Sequence, residues 1–182
     1  YLRRNPNGTI PVLETPDGAM FETAAILLWL ADRHGALAPS PAEPLRAPFL
    51  KWLFWTSNTF HIDLRQTFYP EKFIGPDPAH QEQLRATLRH RLLSDLAMIE
   101  AGLAESPALA GGAQPTLLDL YLPCLLRWTC LYAQFPGARW FDLATYPRLH
   151  ALCARAETRA STRAAQAAEG LGPTPFTKPT FA

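Results

Sequence analysis

The spacing of apolar residues changes once along this chain, near residue 40, and the change divides it. Ahead of that point the apolar stretches are short. Residues 9–14 carry β-branched side chains and predict a strand, residues 19–21 a second, and Asp17-Gly18 between them is a strong hairpin signal. Asn5, Pro6, Asn7 and Gly8 are turn formers leading into the first strand. The apolar run over 24–30 predicts a helix that stops before Gly35, a C-cap residue. Residues 36–44 then hold Pro39, Pro41 and Pro44 with no periodicity, the mark of a boundary.

Beyond it the pattern is helical. Residues 45–67 predict one helix rich in aromatics: Phe49, Trp52, Phe54, Trp55 and Phe60. Asp77-Pro78 opens the next, as N-cap and first-turn proline, and Leu84, Leu88, Leu92, Leu96, Ile99 and Leu103 recur at spacings of three and four, which gives one apolar face. Arg85, Arg89 and Arg91 lie off that stripe and read as a solvated face. Thr116-x-x-Asp119 fits a capping box with aspartate in the acidic position. The helix after it, from Leu117 to Leu131, is apolar on most sides and belongs in the middle of a bundle. Shorter helices are expected over 146–155 and 161–168, and an extended tail with three prolines runs from 170 to 182.

Composition narrows the function classes. Hydrophobic residues make up 48% of the 182, enough for a sizeable core. Seventeen lysines and arginines against 16 acids leave a net charge of +1, so no global field attracts nucleic acid or an anionic membrane, and neither is expected as a partner. No apolar run is long enough to span a bilayer. Cys124, Cys130 and Cys153 have no metal or C-x-x-C spacing and read as reduced, buried thiols of a cytoplasmic protein; no metal site is expected.

Three stretches narrow it further. Asn5-Pro6-x-Gly8-x-Ile10-Pro11-Val12-Leu13, Asp17-Gly18, and Glu22-Thr23-x-Ala25-Ile26 resemble the glutathione-binding half of the glutathione transferase family. Thr116-Leu117-Leu118-Asp119 is similar to the capping motif of its helical domain, Tyr146-Pro147-x-Leu149 to the start of its next helix, and Gly172-Pro173-x-Pro175-Phe176 to the tail of bacterial members. The resemblance implies an α/β thioredoxin-like domain, of which residues 1–36 are the last β-β-α, then a linker (37–44), an all-α helical-bundle domain (45–170) and an extended tail (171–182).

It also implies a site. Pro11 would be cis, and the turn would present the backbone of Val12 to the peptide backbone of glutathione as an added strand does. A helix N-terminus exposes unpaired N–H groups and attracts a carboxylate. Thr23 would offer its hydroxyl and amide to the α-carboxylate of the γ-glutamyl group, and Glu22 would face its ammonium. The local alternative is that Thr23 only caps the helix and Glu22 only complements its dipole. His61, Phe68 and Tyr69 line the electrophile pocket or pack the helix; the sequence leaves both open. Thr116 and Asp119 are structural. Phe49, Trp52 and Trp55 exceed what one core stripe needs, and the family pairs through this region, so a homodimer is expected.

The catalytic serine, cysteine or tyrosine of the family lies near the end of its first strand. The chain begins at Tyr1, not methionine, and about 40 residues of the thioredoxin-like order are expected upstream of it, counting a βαβ unit of about 30 residues and a further helix of about 11. The implied activity is detoxifying transfer of the glutathione thiolate to small electrophiles. The alternative is a family-like binding or regulatory module without turnover.

Overall fold

The computed structural model describes residues 1–106, 109–133, 135 and 140–181. A hairpin of β1 (Val12–Thr15) and β2 (Gly18–Phe21) runs into helix α1 (Thr23–His34). The strands pair antiparallel, Val12 with Phe21 and Thr15 with Gly18. The two-residue loop is therefore Pro16-Asp17, one position earlier than the Asp17-Gly18 signal suggests. Gly18 adopts φ 122°, which a side chain would resist. The first strand also starts at Val12 rather than residue 9, directly after the cis Ile10–Pro11 bond. Gly35 closes α1 in the left-handed conformation, its N–H returning to the Ala31 carbonyl.

The rest is helical: α2 (Arg46–Trp55), α3 (His61–Phe68), α4 (Glu71–Ile74), α5 (Pro78–Glu105), α6 (Leu118–Leu131), α7 (Pro147–Glu157) and α8 (Ala160–Glu169). The single helix expected over 45–67 is α2 and α3 joined by a wider π-type turn, Thr56–Phe60. Such turns insert a residue and shift the phase of the helix beyond them. Here the shift lets Phe60 and Leu64 enter the core while His61, half-buried, faces a different neighbour. The four-residue α4 escapes periodicity analysis because one turn has no repeat.

One core joins the hairpin unit to the helices. Ala24 and Ala31 of α1 share it with Phe49, Leu53, Phe60 and Leu64, with Leu92, Leu96 and Ile99 of α5, and with Leu118, Leu122 and Leu125 of α6. Phe49 and Trp52 are buried within the chain, and Trp55 packs edge-on against Trp52. The aromatic surplus on which a dimer is expected is thus absorbed by the chain's own core. Gly102 allows the close fit: a Cβ there would lie 2.7 Å from the Trp52 ring. An ionic clamp fixes α1 against α2, with Arg46 donating to both carboxylate oxygens of Asp32 (2.6 and 2.7 Å) and to the Pro39 carbonyl (2.8 Å). That bidentate pair holds the Asp32 carboxyl below its usual range.

Polar anchors complete the bundle. Asp77 caps α5 through the amides of Ala79 and His80. Thr116 Oγ1 accepts from the Leu118 amide (3.2 Å), and the Asp119 carboxylate takes the Thr116 amide in return (2.8 Å), so the capping box is present although regular helix begins at Leu118. Thr116→Ala should lower stability by about 0.5–2 kcal/mol in thermal melting and leave any activity intact. Unchanged melting with lost activity would reverse that assignment.

Arg91 corrects the reading of a purely solvated face. Its guanidinium binds both oxygens of buried Asp63 on α3, at 2.6 and 3.0 Å. Asp95, one turn along α5, is half-buried with one carboxylate oxygen unpartnered. Burial and the Asp63 charge push its carboxyl up to about 6. A carboxyl raised in the folded state loses stability as pH climbs through that value. Discounted for partial solvation, Asp95→Asn should gain about 1 kcal/mol at pH 8 and nothing at pH 4; equal gains at both pH values in chemical denaturation would contradict this.

Candidate functional site

The hairpin register builds the site. Val12 pairs with Phe21, so Pro11 and Glu22, the residues just outside the ladder, are neighbours at the same end. The loop before Pro11 is braced. Asn5, 1% exposed, donates to the Thr9 carbonyl at 2.6 Å and accepts the Asn7 amide at 3.0 Å, and the Tyr1 hydroxyl also reaches the Thr9 carbonyl. The Ile10–Pro11 bond is cis, as the resemblance implies.

Glu22 occupies the cap position of α1 with φ 74°, a conformation that non-glycine residues rarely adopt and that tends to mark functional positions. Its side chain does not cap the helix. Thr23 is the first helical residue and not the cap, so the local alternative in which Thr23 merely caps α1 does not describe the geometry. The carbonyl of Glu22 accepts the Ile26 amide, and the amides ahead of it in the first turn receive no side-chain cap. This leaves a positive helix end beside Pro11 and Val12. Pro11 and Glu22 are exposed, Val12 and Thr23 half-buried. The four residues picked from the sequence therefore share one end of the hairpin.

The helical domain carries a second pair of polar side chains. His61 Nδ1 lies 2.6 Å from the Tyr121 hydroxyl. Burial, with the Arg65 charge, pushes the imidazole down to about 4, so His61 is neutral at physiological pH. Burial and the charge of Glu22 push the Tyr121 phenol up, so it keeps its proton. The electrostatic coupling of Tyr121 to Glu22 puts α6 and the hairpin end within one field. Tyr121 is the residue that sequence reasoning missed. A tyrosine on an otherwise apolar, buried helix needs a hydrogen-bond partner, and that need was the available signal; its partner lies 60 positions away. Of the other residues expected at the pocket, Phe68 packs edge-on against Trp128 (6.3 Å) and Tyr69 (6.4 Å), while Tyr69 itself is exposed.

The cysteines differ in exposure. Cys153 is buried, and burial pushes its thiol up. Cys124 is exposed, contrary to the expectation of buried thiols, because it lies on the side of α6 away from the core leucines 122, 125 and 126. Among the described residues no helix is long and apolar enough to cross a membrane.

Comparison with known proteins agrees with the fold. Residues 1–41 match the glutathione S-transferase N-terminal domain and residues 79–155 the C-terminal domain. The chain is 30% identical over 173 residues to glutathione S-transferase GST-4.5 of Xanthomonas campestris, covering 94% of this chain and 80% of that protein. It is also 30% identical over 131 residues to elongation factor 1-gamma 3 of rice (Oryza sativa), covering 70% of this chain and 30% of that one. The chain spans less than two thirds of the length of the first curated relatives it matches. Among solved structures, a sphingomonad glutathione S-transferase complexed with glutathione superposes with a TM-score of 0.74 at 30% identity, covering 94% of this chain and 79% of that one. The hairpin and α1 thus correspond to part of a thioredoxin-like domain followed by the helical domain, and the chain belongs to the glutathione S-transferase family.

Proposed function

We propose that the protein binds glutathione at the hairpin end and transfers its thiolate to small electrophiles. The observation that carries this reading is the juxtaposition of cis-Pro11 and Val12 with the uncapped N-terminus of α1 at Glu22 and Thr23. The backbone N–H and C=O of Val12 pair with the cysteinyl backbone of the peptide as an added strand. The first-turn amides of α1 and the Thr23 hydroxyl hold the γ-glutamyl carboxylate, where the helix dipole favours negative charge, and the Glu22 carboxylate faces the ammonium. Glutathione supplies the nucleophile: its thiol proton passes to solvent water, the sulfur bonds to the electrophilic carbon, and the leaving group departs with its electron pair. His61 and Tyr121, both uncharged, offer the acceptor side a hydrogen-bonding surface without a competing charge.

This reading takes residues 1–36 as the glutathione-binding unit, 37–44 as linker, 45–170 as the helical domain and 171–182 as tail; Ala182 lies outside the described residues. It includes a cytoplasmic, detoxifying role and a homodimer. Exposed Phe54 is an apolar side chain on α2, within the stretch expected to pair.

One observation favours a second reading. The similarity to elongation factor 1-gamma covers 70% of the chain, so the same geometry is compatible with a binding module that has no turnover. Two measurements separate the two: glutathione affinity by calorimetry and conjugation of 1-chloro-2,4-dinitrobenzene. Binding with conjugation supports the transferase and excludes the module, and absence of glutathione binding at millimolar concentration sinks the transferase.

A further inference from the structure

The tail after α8 is held more firmly than its composition suggests. Arg127, a nearly buried arginine on α6, donates to the Pro175 carbonyl at 2.9 Å and to the Thr180 carbonyl at 3.0 Å. The Glu157 carboxylate of α7 accepts the amides of Phe176 (2.9 Å) and Thr177 (2.8 Å) and the Thr177 hydroxyl (3.0 Å). Gln166 donates to the Gly172 carbonyl at 2.7 Å, and Phe176 enters the core. Charged groups bonded to backbone make strong anchors, and three prolines reduce the entropy lost on ordering the segment. The last anchor is at Thr180. The next residue, Phe181, is 63% exposed, yet its ring packs edge-on against Tyr132 at 5.4 Å.

That contact ends a continuous row of rings. Tyr132 meets Phe68 at 5.8 Å, Phe68 meets Trp128 at 6.3 Å, and Trp128 meets His61 at 5.5 Å, where the bond to Tyr121 leads to the field of Glu22. Arg127 and Trp128 are adjacent, so the residue that fixes the tail and a ring of the row ride on the same turn of α6. Buried rings would need no further account, but Tyr132 is 47% exposed and Phe181 63% exposed at the far end. Exposed, ordered aromatic faces offer edge and face contacts to another ring.

We propose that the tail is a functional part of the acceptor site. Arg127 and Glu157 position Phe181 so that it and Tyr132 extend the aromatic wall outward, and the extension makes the site selective for electrophiles carrying two aromatic rings over those carrying one. The inference rests on the glutathione reading for the near end of the wall; the far end is independent of it.

Binding of product-like ligands tests this without relying on turnover. Calorimetry on the full protein would compare S-benzylglutathione with S-(4-phenylbenzyl)glutathione, which differ by one ring, alongside glutathione itself and 4-phenylbenzyl alcohol, which lacks the peptide. The wild type should favour the two-ring conjugate by about tenfold, the worth of one good aromatic contact. In Phe181→Ala that preference should fall to within about twofold of unity, Phe181→Leu should restore little, and Phe181→Trp should restore most of it. The alcohol should bind weakly to the wild type and more weakly to Phe181→Ala. A two-ring preference that is absent from the wild type, or that survives Phe181→Ala, overturns the proposal. Equal loss of affinity for both conjugates also overturns it, since that marks the ring as a general structural support. Failure of glutathione to bind would sink the glutathione reading alone, because the alcohol still reports on the far end of the wall.

Discussion

Replacing Asp119 with alanine should cost about 3–5 kcal/mol of folding stability. Its carboxylate, 8% exposed, accepts the Gly111 amide at 2.9 Å and the Thr116 amide at 2.8 Å, with the Thr116 hydroxyl a further 3.4 Å contact. Alanine would leave the buried Thr116 amide without a partner and turn the Gly111 amide, on an exposed residue, to water, and hydrogen bonds to a charged group are worth about 1.5–3 kcal/mol each. The loss is a large fraction of the roughly 5–15 kcal/mol that holds a domain of this size together. It would fall at the start of α6, the helix that supplies Leu118, Leu122, Leu125 and Leu126 to the core and Tyr121 to the site. Asp119→Asn keeps an acceptor oxygen and should cost less than half as much. Urea unfolding gives both values, and a cost below about 1 kcal/mol for the alanine variant would show that the amides find other partners.

The second large effect concerns ligand rather than fold. Thr23→Val keeps the shape and β-branching of the first helical residue and deletes its hydroxyl. Glu22→Gln removes the charge that would face the ammonium of the peptide. Each change takes one hydrogen bond from a charged ligand group, worth about 1.5–3 kcal/mol, so each should weaken glutathione binding by roughly ten- to a hundredfold. Neither should lower the melting temperature appreciably. Glu22 is exposed and its side chain caps nothing. A Glu22→Gly variant sharpens the contrast. Glycine accepts φ 74° without strain, so this variant should be at least as stable as the wild type while binding glutathione as poorly as Glu22→Gln. If the variants bind as the wild type does, the carboxylate and ammonium of the peptide are held elsewhere.

Local chemistry was legible in the sequence, and long-range pairing was not. The Asp77-Pro78 cap, the Gly35 stop, the Leu88–Leu92–Leu96–Ile99 stripe and the Thr116–Asp119 box all arise from neighbours within one or two helical turns, and all are present. So is the cis bond at Pro11 that the family resemblance implied. The contacts that were missed join residues far apart. Asp63 and Arg91 are 28 positions apart, His61 and Tyr121 60, and Arg127 lies 48 and 53 positions from the carbonyls it holds. No periodicity records such pairs. A buried polar residue on an apolar face signals that a partner exists without saying which it is. The π-type turn at Thr56–Phe60 was invisible for another reason: it alters backbone phase without altering the apolar composition that marks a helix.

The central claim is that the hairpin end and the N-terminus of α1 together hold glutathione. A crystal structure of the protein with glutathione at millimolar concentration tests it most directly. The predicted result places the cysteinyl backbone of the peptide alongside Val12, the γ-glutamyl carboxylate on the Thr23 hydroxyl and the first-turn amides, and the ammonium against Glu22. Glutathione bound away from these residues, or no bound peptide at that concentration, would contradict the account.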